Sequence, residues 1–116
     1  MESWGSTTDY YIKAIEDFNE VIAFHPNDYV FYYGRGNAKF RIGNYVEAIE
    51  DYNKAIELST WIDKELYNRC IKAYGLIDDY ENAKKTEERM KQRMIEQQKL
   101  HYKQRIGGSN PSAPTS

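Results

Sequence analysis

The chain writes one helix-like segment twice. "AIEDFNEVIAF", residues 14–24, returns 34 residues later as "AIEDYNKAIEL", residues 48–58, with six of eleven positions identical. Three of the changes (Phe18/Tyr52, Val21/Ala55, Phe24/Leu58) keep an apolar residue. The register extends outward, pairing Tyr11 with Tyr45 and Ile22 with Ile56. A more diverged third copy follows, in which Tyr45-x-x-Ala48 recurs as Tyr80-x-x-Ala83, 35 residues on. Upstream, Tyr32, Gly36 and Phe40 are echoed by Tyr67, Ile71 and Gly75. A fixed period of this size means one supersecondary unit stacked on itself, and it limits the fold more than any other feature of the sequence.

Within the period the apolar residues fall at helical spacing. Ile15, Phe18, Val21 and Ile22 stand at i, i+3, i+6 and i+7, and Ile49, Tyr52, Ala55 and Ile56 repeat the pattern. Helix breakers lie between the stripes. Pro26 cannot donate to a helix ladder and disfavours a helical backbone at His25. Asn27 or Asp28 can cap the helix that follows, Gly43 can close one in the left-handed conformation, and Asn44 can cap the next. Further breaks come at Ser59-Thr60 and Asp78-Asp79. The expectation is an all-α fold of five helices, near 9–23, 28–42, 45–58, 62–76 and 79–105, joined by short connections that force neighbours to pack antiparallel. The corresponding division is an N-terminal segment at 1–8, a helical domain at 9–106 and a flexible tail at 107–116. The domain contains a lone second helix at 9–26, a full unit at 27–60, and a third unit with an extended terminal helix at 61–106.

Small residues carry part of this reading. Ala48 and Gly36 belong where the two helices of one unit cross, and a larger side chain would force them apart. Tyr32, Tyr45 and Tyr52 belong in the space between units.

At these positions the sequence resembles the tetratricopeptide repeat. "YYGRGNAKFRIGNYVEAIEDYNKAIEL" carries Tyr32, Gly36, Gly43, Tyr45, Ala48, Tyr52 and Ala55 at that family's spacing. The resemblance covers about residues 10–90, as two and a half repeats. The third copy keeps Tyr67, Tyr74, Tyr80 and Ala83 but has Asp78 for the turn glycine and Glu87 for an aromatic. The resemblance implies a non-enzymatic protein–protein interaction module, a scaffold or adaptor whose first helices line a concave, peptide-binding side. The inward positions then fall on Val30, Tyr33, Asn37, Phe40 and Arg41, and on Glu65, Asn68, Arg69, Lys72 and Leu76. Of the basic clamp with which one subclass holds acidic chaperone tails, only Arg69 matches; Glu65 and Gly34 stand at two of its other positions.

Spacing supports a groove independently, because Tyr33, Asn37 and Arg41 form an i, i+4, i+8 stripe opposite the core stripe, as do Asn68 and Lys72. The candidate site is therefore Tyr33, Asn37, Arg41, Asn68, Arg69 and Lys72. Its amides can hold a peptide backbone and its three cations can attract a carboxylate.

Other candidates read as structural. "GRGNAK" lacks the third glycine of a dinucleotide fingerprint and lies inside a helix. His25 and His101 have no companion at metal spacing, and no metal or cofactor is expected. Cys70 falls on an apolar face with Tyr67, Ile71 and Tyr74, as a small buried hydrophobe. Glu16/Asp17 and Glu50/Asp51 recur with the period and read as a solvated acidic face. No catalytic constellation emerges.

Charge is unevenly spread. Residues 1–80 carry 8 basic and 14 acidic side chains, whereas residues 81–105 carry 8 basic and 4 acidic. The basic terminal helix offers an alternative reading, a nucleic-acid-binding accessory domain, although its cations lie all round the helix without regular aromatic interleaving. A single cysteine excludes an intrachain disulfide and fits a reducing compartment, the cytoplasm. No apolar run reaches the roughly 18–20 residues that span a bilayer, so no membrane segment is expected. "MESWGSTTDYY" lacks the pattern of a signal peptide. The apolar stripe Ile15, Phe18 and Ile22 stands without its own first helix, so self-association through this incomplete repeat is a further expectation.

Overall fold

The computed structural model describes residues 6–109, with side chains through Arg105. Five helices follow in order: α1 Thr7–Phe24, α2 Tyr29–Arg41, α3 Tyr45–Leu58, α4 Lys64–Leu76 and α5 Tyr80–Ser109. There are no strands among the described residues. Each helix packs on the next, giving an elongated stack with extents of 78 × 34 × 20 Å. The fold is the expected all-α arrangement of helix pairs.

The ends of the helices follow from local chemistry. Ser6, Asp28, Asp63 and Asp79 each accept a hydrogen bond from a first-turn backbone N–H, at 3.1, 3.1, 3.2 and 3.2 Å respectively. Each satisfies a donor that the helix cannot. Asn44 takes the equivalent place before α3 but makes no side-chain cap bond. Gly43 has φ +83°, the left-handed residue that closes α2. Asp78, at the corresponding turn after α4, adopts φ +61° without being glycine. α5 runs three residues past the boundary expected at 106, through Gly107 and Gly108 to Ser109, since each residue added to an existing helix gains a hydrogen bond. Residues 110–116 of the expected tail lie outside the described residues, as does Trp4.

The core lies between α3 and α4. Ala48, Tyr52, Ala55, Leu66, Cys70 and Ala73 have no exposed surface, and Ile56 and Tyr67 have almost none. Two glycines let α2 approach both neighbours. A Cβ on Gly36 would lie 3.0 Å from the Tyr52 ring and 3.1 Å from Asp51 Cβ, and one on Gly34 would lie 2.4 Å from Phe18 Cζ. Gly36 therefore faces α3 and Gly34 faces α1. Burial pushes the Cys70 thiol up to about 12, so it stays protonated near neutrality.

One expectation fails. Asp51 is not on a solvated face: it is 4% exposed. Its carboxylate accepts from Arg35 Nε at 2.9 Å and Nη2 at 2.8 Å, and Lys39 Nζ lies 3.1 Å away. Arg35 also donates to Asn19 Oδ1 at 2.8 Å, joining α1, α2 and α3 in one polar network. Asp51 is buried because α2 brings two cations to it, a pairing that periodicity within α3 does not reveal. Asp17, its counterpart, keeps 65% of its side chain exposed.

The long α5 is anchored near its middle. Arg93 donates to Tyr67 Oη at 3.0 Å and to the backbone oxygens of Ser59 at 3.3 Å and Ile56 at 3.5 Å. It thereby supplies donors to the carbonyl end of α3. Met90 packs on the core, and Thr86 is buried with its hydroxyl donating to Asn82 O at 2.8 Å. Glu87, the counterpart of Tyr52, faces solvent.

Candidate functional site

The six candidate residues lie on α2 and α4 and divide between two adjoining pockets. Asn37, Arg41 and Arg69 line a pocket of about 320 Å³ that α1 closes with Tyr10, Tyr11 and Phe18. Asn68, Arg69 and Lys72, with Phe40 and Glu65, line a second pocket of about 180 Å³. Arg69 borders both. Tyr33 lines neither pocket; its ring stands edge-on to Tyr52 at 6.2 Å.

The stripe Tyr33–Asn37–Arg41 thus borders the core as well as the open face. Tyr52 donates its hydroxyl to Asn37 Oδ1 at 2.7 Å, which fixes the amide and leaves its NH₂ free to donate outward. Burial raises the pKa of both Tyr33 and Tyr52, while the nearby Arg69 charge pulls in the other direction. Both phenols remain neutral donors at ordinary pH. Arg69 is steadied within its own helix by Glu65 Oε2 at 3.1 Å.

The other two cations rest on aromatic faces. Arg41 Cζ lies 5.0 Å from the Tyr11 ring centroid, and Lys72 Nζ lies 5.9 Å from that of Phe40. Neither has a carboxylate within ion-pair distance among the described residues. The result is a row of three cations over an aromatic floor, with amide donors between them. Such a surface suits an extended chain carrying carbonyls and a carboxylate.

α1 contributes more to this site than periodicity indicates. Tyr10, Tyr11, Ala14 and Phe18 form one wall of the larger pocket. The repeat marks Tyr11 as the counterpart of Tyr45, which packs edge-on to Phe40 at 5.1 Å, so a packing role for Tyr11 was legible; its stacking with Arg41 was not. The stripe of α1 is likewise not bare, since Ile15, Phe18 and Ile22 are all partly buried. Among the described residues no group of three His, Cys, Asp or Glu is placed to hold a metal ion. No described helix is long and apolar enough to cross a membrane.

Residues 29–59, which are α2, α3 and the turn between them, match the family model of the tetratricopeptide repeat. Over 79 residues the chain is 33% identical to "Protein SGT1 homolog" of Oryza sativa subsp. japonica. That stretch is 66% of this chain and 20% of the relative, so the match spans about one fifth of the relative's length. Repeats of this kind mediate protein–protein interaction. The 34-residue period, the antiparallel helix pairs and the matched middle unit agree, and residues 29–59 are a tetratricopeptide repeat.

Proposed function

We propose that this chain is a scaffold or adaptor module that holds a peptide or helix of a partner protein across the two pockets that meet at Arg69. The observation that carries this reading is the row Arg41, Arg69 and Lys72, in which the outer cations have no carboxylate partner among the described residues. A bound segment gains a charge-assisted bond at Arg69 and amide contacts at Asn37 and Asn68, and buries an apolar side chain against Tyr11 and Phe18. Carboxylate-bearing segments are favoured, because each end of the row has a cation to offer.

Affinity capture with the full chain tests the reading. Partners held by the groove are expected to be lost when Asn37, Arg41 and Lys72 are changed to Ala, and again with Arg69→Ala. Partners captured undiminished by those variants would refute it. Circular dichroism of each variant separates lost binding from lost fold.

A second reading is favoured by one observation: α1 has no buried residue, and Tyr10, Ile12 and Phe24 are exposed on it. On this reading two copies pair through α1. Sedimentation across a concentration series would then reveal a dimer that Phe24→Glu disperses; a concentration-independent monomer mass eliminates it.

A further inference from the structure

The far end of α5 carries a surface separate from the groove. Trp61 and Ile62, in the connection before α4, and Lys64, its first residue, line a cleft with Met94, Gln97 and Gln98 of α5. An adjoining and more apolar cleft is formed by Lys91, Met94, Ile95 and Gln98, spaced i, i+3, i+4 and i+7. Trp61 is 70% exposed and Ile95 47%. Tyr102 continues the strip at i+11 and is also exposed. From Gln98 to Arg105 every residue is exposed, and the helix goes on to Ser109, an overhang of about 18 Å at 1.5 Å per residue.

Charge identifies what this strip fits. Residues 91–105 hold five Lys and Arg against one Glu. Arg93 is turned inward to α3, but Lys64, Lys99 and Lys103 have no carboxylate within ion-pair distance among the described residues. An apolar strip flanked by cations complements a helix with one apolar stripe and acidic flanks. A second copy of α5 would instead set like charges against each other. A nucleic acid would use the cations and leave Trp61, Met94 and Ile95 without a role.

We propose that the α4–α5 end docks an acidic amphipathic helix of a partner protein, laid along α5 beside Trp61. This surface stands independently of the groove, so the molecule has two binding faces that can be occupied together.

The probe is a fluorescein-labelled helical peptide of about five turns, roughly 18 residues, with leucines at i, i+3, i+4 and i+7 and glutamates on both flanks. Titrated into the full chain, it is expected to bind saturably and to change the emission of Trp61, a change that Trp61→Phe abolishes. Ile95→Asp, and separately Lys99→Glu with Lys103→Glu, are each expected to weaken binding about tenfold. These positions are exposed, and circular dichroism checks that the fold is retained. Arg69→Ala is expected to leave this affinity unchanged, which separates the proposal from the groove. Three results would overturn it: equal affinity for a probe with lysines in place of the glutamates, displacement of the probe by polyuridylate RNA at low salt, or a dimer in sedimentation that Ile95→Asp dissolves.

Discussion

In α3, Asp51 is locked between Arg35 and Lys39, and Tyr52 has no exposed surface. In α1, 34 residues earlier, Asp17 faces water beside Lys13 at 3.9 Å, and Phe18 is half-buried. The two helices share seven of their fourteen aligned residues, and both carry a small residue at the crossing point, an acidic pair and an aromatic. α3 buries six of its residues and α1 buries none. The difference comes from neighbours: α3 lies between α2 and α4, whereas among the described residues α1 packs chiefly on α2. A repeat sequence specifies what a helix can bury, and the number of flanking helices decides what it does bury.

The largest test of this contrast is steric. Ala48→Trp is expected to abolish cooperative unfolding, because Ala48 has no exposed surface and the indole has nowhere to go. Ala14→Trp, at the matching position beside an open pocket, is expected to leave a folded protein; thermal melts followed by circular dichroism distinguish them. The aromatic pair comes next. Tyr52→Ala is expected to cost about 3–5 kcal/mol in urea denaturation, including the cavity it leaves. Phe18→Ala is expected to cost about 1–2 kcal/mol, since its ring is already partly in water. Equal costs would mean that α1 is covered as fully as α3 in solution.

The acidic pair follows. Asp51→Ala takes the buried carboxylate from two largely buried cations, leaving Arg35 with Asn19 at 2.8 Å and Lys39 with the more exposed Glu47 at 3.6 Å, with an expected loss of about 3 kcal/mol. Asp17→Ala is expected to change stability by less than about 0.5 kcal/mol. The glycines give a smaller and less obvious effect. The closer clash is at Gly34, but the atom it meets is the tip of the half-free Phe18 ring. Gly34→Ala is therefore expected to be near neutral, the clash being offset by about 1 kcal/mol of helix propensity. At Gly36 the obstacles are the immobile Tyr52 ring and Asp51, so Gly36→Ala is expected to cost about 1–2 kcal/mol net.

The last expected effect is on pH dependence. Burial raises the Cys70 thiol from 9.0 to about 12, so the folded state holds this proton where the unfolded state has released it. Its contribution is complete below pH 9 and declines as pH rises toward 12. Tyr52, also raised by burial, acts with the same sign above its ordinary value of 10.0. Urea midpoints measured from pH 8 to 11 are expected to fall, and Cys70→Ala to shallow that fall. A flat profile would contradict the burial of α3 and α4.

Much of this molecule was legible from spacing. The five helices, the left-handed Gly43, the capping Asp28 and the burial of Cys70 all follow from short-range rules that act within a turn or two of helix. Partners across helices were less legible. Asp51 sits in the same "IED" triplet as exposed Asp17, and only the approach of Arg35 and Lys39 from α2 separates their fates. In the candidate groove, spacing aligned Asn37 with Arg41 and Asn68 with Lys72, and the family resemblance added Arg69. It did not reveal that Tyr52 holds the Asn37 amide, or that Tyr11 supports Arg41.

By itself the sequence determined the repeating unit, because hydrophobic period, turn residues and small crossing residues act locally and recur every 34 positions. Only the tertiary structure decided which copy of a repeated residue is buried, which cations lack a carboxylate, and where α5 leaves the body behind. Those outcomes depend on how many surfaces meet at one point, which no spacing along a single chain segment encodes.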